Sequence, residues 1–307
     1  MSRIYNAWGS KVYGVKDVLQ DKGVEKGIRE IFSSVLTNLG ISNQGANGIV
    51  DDCLKLAKNY SHIFSYEKQA REILNKKGVP EKIPERLGER AKIMYEQIEP
   101  YILENSVLDL GCGDGRVGEL LYNNHDKVKR VELADVYRNE NIDNVESPDL
   151  RFHKFGENED VPFRTDEFDN TLNLTVFHHS RYPLKTIRES RRVTRPGGRV
   201  IAIESVYGVS EPGSCGESVH TAKNYLSLTP EQQRLVNIFF DHFYNRIVHY
   251  KKIPGMKVKI PFNFMTPEGW NQILEKNGFE IEDCINLGLD QPIVPEYHTL
   301  HVARVKK

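Results

Sequence analysis

The sequence predicts an α/β protein built on a doubly wound, Rossmann-like parallel sheet, with a helical amino-terminal domain and a helical insert. Three observations predict it. Residues 107–115, Val-Leu-Asp-Leu-Gly-Cys-Gly-Asp-Gly, run an apolar strand straight into three alternating glycines. Short apolar runs then alternate with helix-like segments as far as residue 204, the pattern of parallel strands joined by crossover helices. The residues ahead of the glycines show helical spacing and no strand alternation.

The amino-terminal helices follow from their apolar stripes. Val24, Ile28, Ile31, Phe32, Val35 and Leu39 recur at helical spacing, and Asn38-Leu39-Gly40 closes that segment. Ile49, Cys53, Leu56 and Ala57 form a second stripe, and Ser65 is placed to cap a third helix through Leu74. Pro80 and Pro84 mark a break, and Arg86 to Ile98 forms the helix that leads to the first strand. Residues 1–98 therefore read as a helical accessory domain, either a packing and dimerisation element or a lid. Residues 99–307 read as the α/β domain, with an insert at 205–265.

Gly111, Gly113 and Gly115 lack a Cβ, so the chain can turn tightly and let a ligand approach at the carboxyl end of the strand. A dinucleotide fingerprint needs a third glycine three residues after Gly113, where this chain has Arg116. The carboxylates of Asp109 and Asp114 repel a pyrophosphate and suit a ligand carrying an ammonium or sulfonium. Lys129 to Asp135 reads as the second strand. A carboxylate at its end can accept both hydroxyls of a ribose; Asp135 is the first choice because it closes the apolar run, with Glu132 as the alternative.

With this motif the chain resembles the class I S-adenosylmethionine-dependent methyltransferases, and in particular the type 11-like core. Further pieces carry the resemblance. Residues 156–163, Gly-Glu-Asn-Glu-Asp-Val-Pro-Phe, are similar to the family's Gly-Asp-Ala-Glu-x-Leu-Pro-Phe, with Glu157 where a shorter Asp usually meets the adenine amino group; Glu159 and Asp160 read as solvated loop charges. Thr171 to Thr175 resembles the fourth strand, and Val176-Phe177-His178-His179 the Val-Leu-His-His that often follows it. Glu189 to Gly198 resembles the helix and Pro-Gly-Gly turn before strand five, Arg199 to Glu204. Thr266-Pro267-Glu268 starts a helix that stops at Gly278, and His298, Leu300 and Val302 alternate as in a half-buried strand. The resemblance spans 100–204 and 264–304.

It implies a seven-stranded sheet with the last strand antiparallel, and S-adenosyl-L-methionine as cofactor. It also implies that Asp109, Gly111, Cys112, Gly113, Asp114, Gly115, Asp135, Val136, Gly156, Glu157, Asn158, Asn173, Leu174 and Thr175 hold that cofactor. His178 and His179, at the sheet edge where ligands bind, are the general-base candidates; the competing reading is that they shape the pocket or cap a helix. Glu204 and Ser205 end strand five at the same edge and read as structural, while Asp290-Gln291-Pro292 reads as an ordinary loop.

In the insert, Tyr207 to Tyr225, with Pro212, Gly213 and Gly216, reads as a loop. Thr229-Pro230-Glu231-Gln232 is a capping box that opens a helix to about Tyr250. Leu235, Ile238, Phe239, Phe243, Ile247 and Tyr250 line its apolar face, and His242, Asn245, Arg246 and His249 another. His242, Tyr244 and Arg246 are the substrate-binding candidates; a solvated helix face is the bland reading.

Composition narrows the function classes. The 307 residues carry a net charge of −1, so no global field draws the protein to nucleic acid or an anionic membrane. Cys53, Cys112, Cys215 and Cys284 form no Cys-x-x-Cys pair, and no spacing collects a metal-ligand set, so neither zinc nor a disulfide framework is expected. No apolar run has the length of a secretory signal core or a membrane span, and a soluble, cytoplasmic protein is expected. The expected function is methyl transfer to an oxygen or nitrogen of a small-molecule metabolite, with nucleic acid disfavoured, no membrane partner, and a homodimer through the helical domain as an option. One alternative is a methyltransferase of RNA or protein, for which Lys251, Lys252, Lys257 and Lys259 supply a short basic run. Enzymes that methylate exocyclic amines of nucleic acids tend to carry Asn- or Asp-Pro-Pro-aromatic where this chain has Asn173-Leu174-Thr175-Val176. The other alternative is a non-methylating α/β protein that binds a nucleotide cofactor.

Overall fold

The computed structural model describes residues 6–8, 15–59, 66–213, 219–248, 260–289 and 296–307. Its strands are β1 (Asn105–Leu110), β2 (Val128–Asp135), β3 (Leu150–Lys154), β4 (Phe168–Leu174), β5 (Thr194–Ser205), β6 (Phe279–Gly288) and β7 (His298–Val305). They form one seven-stranded sheet in the order β3-β2-β1-β4-β5-β7-β6, with the last strand antiparallel. β1 pairs parallel with β2 and β4, β2 with β3, and β4 with β5. Val107, Leu108, Val131, Leu133 and Leu172 are buried, as a parallel sheet covered on both faces requires.

The chain divides into two compact units. One is helical and comprises residues 1–87, 205–267 and 286–298; the other holds most of the sheet and comprises 88–204, 268–285 and 299–307. After a single helical turn at Val15–Val18, the first long helix of the helical unit is α1 (Lys22–Asn38), whose Asp21 cap accepts the N–H groups of Gly23 and Val24. Gly40, at φ +76°, closes α1 while Ile41 N–H returns to the Leu36 carbonyl. Ser42 caps α2 (Asn43–Lys58). α3 (Glu67–Asn75) starts from Tyr66 without a side-chain cap, and the expected cap Ser65 lies outside the described residues. α4 (Ile83–Ile98) begins three residues earlier than the sequence suggests, because Pro84 fits a first turn whose N–H groups have no helical partner.

In the sheet unit α5 (Arg116–Asn124) follows the glycine loop, and α6 (Pro183–Val193) leads to β5. The insert differs from its sequence reading in two places. The stretch expected as a loop holds α7 (Val219–Leu226). α8 (Pro230–Phe243), opened by the expected capping box, gives way to a π-helical turn at Tyr244–Val248. There the Asn245 side chain donates to the Asp241 carbonyl at 3.1 Å, the acceptor that an α-helix would reserve for the Asn245 N–H, and so the turn widens. His249, Tyr250 and the four lysines of the basic run lie outside the described residues, as do Cys215, Gly216 and residues 290–292.

Phe32 of α1 meets Phe243 of α8 edge-on at 4.7 Å, within a core of Ile28, Ile31, Ile49, Cys53, Val236 and Phe240. α9 (Pro267–Lys276) ends at Gly278, φ +92°, as expected. No helix among the described residues is long and apolar enough to cross a membrane.

Candidate active site

The glycine loop closes β1 by donating the Gly111 and Cys112 N–H groups to the Ala134 carbonyl, at 2.7 and 3.2 Å. All three glycines have positive φ, but for different reasons. A Cβ on Gly111 would lie 2.5 Å from Val176 Cγ2, and one on Gly115 2.8 Å from Val145 Cγ2. A Cβ on Gly113 would meet nothing within 4 Å. Two glycines thus serve packing, and the third leaves open space above the end of the strand.

Asp135 faces this loop. Its carboxylate accepts the Gly113 N–H at 2.9 Å and the Tyr137 N–H at 3.2 Å, with a further backbone bond from Val136. Glu132 lies three residues earlier on the opposite face of β2, where it accepts Arg130 at 2.8 Å and contacts His153 at 2.7 Å. Burial pushes Asp135 up to about 6 against those N–H bonds. Asp109 is pushed up to about 7, by burial first and then by Asp135 and Asp114, while the Gly118 N–H pulls it down. The buried Cys112 thiol is raised well above its ordinary value by the same burial and the neighbouring acids, which makes it a poor nucleophile.

The other expected cofactor residues are distributed unevenly. Asp114 accepts the Arg116 N–H at 3.3 Å, and its own carbonyl accepts Asn141 at 2.9 Å. Gly156 N–H donates to Glu159 at 2.8 Å, Glu157 is half-buried, and the carbonyl of exposed Asn158 accepts Lys185 at 2.6 Å. Glu159 and Asp160 are exposed yet engaged, the latter 3.3 Å from Lys185. Asn173 is fully buried and exchanges hydrogen bonds with Ser190 of α6, because the alternation of β4 sends it into the core. Leu174 is buried beside the site.

Thr175 has φ +60°, a strained value for a β-branched residue. Its N–H donates to the Ile203 carbonyl at 2.6 Å, and this turns the chain over the end of β5. The N–H groups of Val176, Phe177 and His178 then converge on the Glu204 carboxylate at 3.0, 2.7 and 3.1 Å. His178 Nδ1 lies 2.6 Å from Glu204 Oε2, and both side chains are buried. A carboxylate only accepts, so Nδ1 carries the proton and Nε2 is left as the acceptor. The half-buried His179 ring lies 4.1 Å from that of His178, tilted by 41°. Glu204 thus belongs to the site. An ionisable residue at the carboxyl end of a buried strand, in register beside the His-His turn, was the available signal.

The polar stripe of the insert meets an interior carboxylate. His242 is fully buried, with Nδ1 3.3 Å from the Tyr66 hydroxyl and Nε2 3.3 Å from Glu67 Oε1. Arg246 lies 3.2 Å from the same oxygen, and Arg71 3.6 Å from Glu67 Oε2. Tyr244 is buried and lines a small apolar cavity with Phe32, Leu74 and Val248. Glu67 gave no signal of this role in the sequence.

The open backbone at Gly113, the acid at the end of β2 and the carboxylate-rich loop fit a nucleoside-bearing cofactor with a cationic centre. Comparisons with known proteins agree. Residues 108–202 match the family model described as a methyltransferase domain. A tRNA U34 carboxymethyltransferase of Nautilia profundicola is 26% identical over 190 residues, 57% of this chain and 62% of that protein. One of Pseudoalteromonas atlantica is 27% identical over 117 residues, 36% of each chain. The chain therefore spans less than two thirds of the length of these curated relatives. A solved S-adenosylmethionine-dependent methyltransferase of Aquifex aeolicus is similar at a TM-score of 0.43 and 18% identity, covering 68% of this chain and 88% of that one. With the strand order, the glycine loop and the family match in hand, the chain carries a class I S-adenosylmethionine-dependent methyltransferase domain, and S-adenosylmethionine is its cofactor.

Proposed function

We propose that this protein transfers a methyl group from S-adenosylmethionine, or a carboxymethyl group from a carboxylated form of that cofactor, to a nucleoside of RNA, with tRNA as the substrate class. The observation that carries this reading is that both curated relatives are tRNA U34 carboxymethyltransferases. They overturn the expectation of a small-molecule substrate with nucleic acid disfavoured. That expectation rested on a net charge of −1, which describes the far field alone, whereas RNA is also held by local groups of arginines and aromatic rings.

The bound cofactor supplies an electrophilic methyl group on a sulfonium, so the protein has chiefly to align the acceptor and exclude water. Asp135 and the Gly113 backbone hold the nucleoside end. Glu204 fixes the tautomer of His178, and the more open His179 beside it takes up the acceptor's proton. The polar cluster of the helical unit is proposed to support the substrate side. π-turns recur at functional sites, and this one carries Tyr244 and Arg246, two and four residues after His242, which contacts Glu67. Cys53, Cys112 and Cys284 are free thiols, which suits a reducing cytoplasm.

The test is incubation with methyl-labelled S-adenosylmethionine and a cell extract divided into RNA, protein and small-molecule fractions. Label in RNA is expected, and the mass of the modified nucleoside identifies the transferred group: a methyl from S-adenosylmethionine itself, or a two-carbon carboxymethyl where the extract has first carboxylated the labelled methyl. Label confined to the small-molecule or protein fraction would overturn the RNA reading.

A further inference from the structure

The glycine loop is not the sole concave surface of the sheet unit. Residues 155–167, which join β3 to β4, form no helix, so part of one sheet face is left without a helical cover. Val131 and Leu133 pack toward Gly118 of α5, so the alternating residues Arg130 and Glu132 point to the other face. Arg151 and His153 stand beside them on β3. The result is a groove of about 640 Å³, with Phe163, Arg164 and Arg192 on its remaining sides.

The charges of this groove are not evenly spent. Glu132 is taken by Arg130 at 2.8 Å and by His153 at 2.7 Å. Glu167 is taken by Arg130 at 2.8 Å and by the Arg164 N–H at 2.7 Å. Asp160 lies 3.3 Å from Lys185, and Arg192 binds Glu189 at 2.7 Å and the carbonyls of Val161 and Phe163. Arg130 is shared between Glu132 and Glu167, and the nearby Arg164 charge helps to lower Glu167, so Arg151 and Arg164 give the wall its net positive charge; both are exposed. The Arg151 Nε donates to the Pro148 carbonyl at 2.7 Å, which orients the guanidinium while leaving its two terminal amino groups for a ligand. Between the arginines lies an aromatic pair, the half-buried Phe163 ring meeting His153 edge-on at 4.8 Å.

We propose that this groove docks a single-stranded segment of the RNA substrate, with phosphates on Arg151 and Arg164 and a base against Phe163 and His153. Guanidinium groups engage phosphate oxygens in pairs, and a ring pair accepts any base, so the groove recognises strand and not sequence. This inference rests on the RNA reading given above.

The experiment measures binding of unmodified bulk tRNA to the full chain by fluorescence anisotropy across a salt series. The variants are Arg151→Ala/Arg164→Ala, Phe163→Leu, and Arg199→Ala/Arg304→Ala, which also removes two positive charges, as a control away from the groove. The Arg151→Ala/Arg164→Ala variant is expected to lose about tenfold or more in affinity, and its salt slope to fall by about 1.4, two phosphates at about 0.7 each. Phe163→Leu keeps an apolar side chain and is expected to weaken binding about fivefold or more with the slope unchanged. Calorimetry with S-adenosylhomocysteine is expected to give the same affinity for all variants, which separates docking from a folding defect. If the unaltered protein binds tRNA and the Arg151→Ala/Arg164→Ala variant binds it equally with the same slope, the groove assignment fails while the RNA reading stands. If the unaltered protein binds no tRNA, the RNA reading fails and the groove assignment with it.

Discussion

Two buried aspartates beside the glycine loop set the pH behaviour of the protein. Asp109 at about 7 and Asp135 at about 6 lie above the ordinary 3.8, so the folded chain binds protons more tightly than the unfolded chain between those values. Their contribution favours the fold at acid pH and is lost as pH rises through about 6 to 7. Asp109→Asn is therefore expected to stabilise the cofactor-free protein at pH 8 relative to the unaltered chain, and to flatten its stability between pH 5 and 8, as read by urea unfolding. The ribose hydroxyls need an ionised acceptor, so cofactor affinity should fall below about pH 6. At the other strand edge, Glu204 accepts three backbone N–H groups and His178 Nδ1. Glu204→Gln replaces one acceptor by a donor and should cost about 1.5–3 kcal/mol of unfolding free energy and most of the turnover. His179→Ala should leave S-adenosylhomocysteine affinity unchanged and lower turnover; unaltered turnover on RNA would remove it from proton transfer.

At the scale of elements, the glycine loop separates packing from binding. Gly111→Ala must accommodate both φ +83° and a contact of 2.5 Å with Val176, so the fold should lose more than the roughly 1–2 kcal/mol of left-handed strain alone. Gly113→Ala bears only the strain, but its methyl enters the open space over the loop. Its unfolding free energy should fall by no more than about 1–2 kcal/mol while cofactor affinity falls further. Calorimetry and urea unfolding on both variants check the contrast, and equal losses in the two assays would refute it. In the helical unit, Glu67 holds His242, Arg246 and Arg71. Glu67→Ala should destabilise the fold by about 3 kcal/mol, measured by chemical denaturation, because buried His242 and the half-buried Arg71 and Arg246 lose their shared acceptor. These elements also show what periodicity can and cannot report. The capping box predicted where α8 starts, since a cap is a local hydrogen-bond pattern. Its end was invisible, since it depends on how one amide, Asn245, competes for a carbonyl.

For the whole molecule, a net charge of −1 means that the proposed RNA binding must come from a few local contacts. The affinity for tRNA should accordingly fall with salt along a shallow slope, on the order of −2 to −3, a handful of phosphates at about 0.7 each. A slope near zero would show that phosphates are not contacted, and a much steeper one would place a larger basic surface outside the residues described.

The sequence alone determined the succession of strands and helices in the sheet unit and the glycine loop, with Asp135 or Glu132 as the acid of β2, while strand order was implied by the family resemblance. Those features are written in contiguous residues: buried strands are apolar runs, and backbone turned against a ligand needs glycine. The tertiary structure decided what depends on residues far apart in the chain. It set Asp135 against the glycine loop and Glu132 on the other face of β2 with His153, and turned Asn173 inward to Ser190. It brought Glu204 against His178 and Glu67 against His242, contacts separated by 26 and 175 residues. A carboxylate has no periodic signature of its own, so its partner is fixed only when strands pair and helices pack.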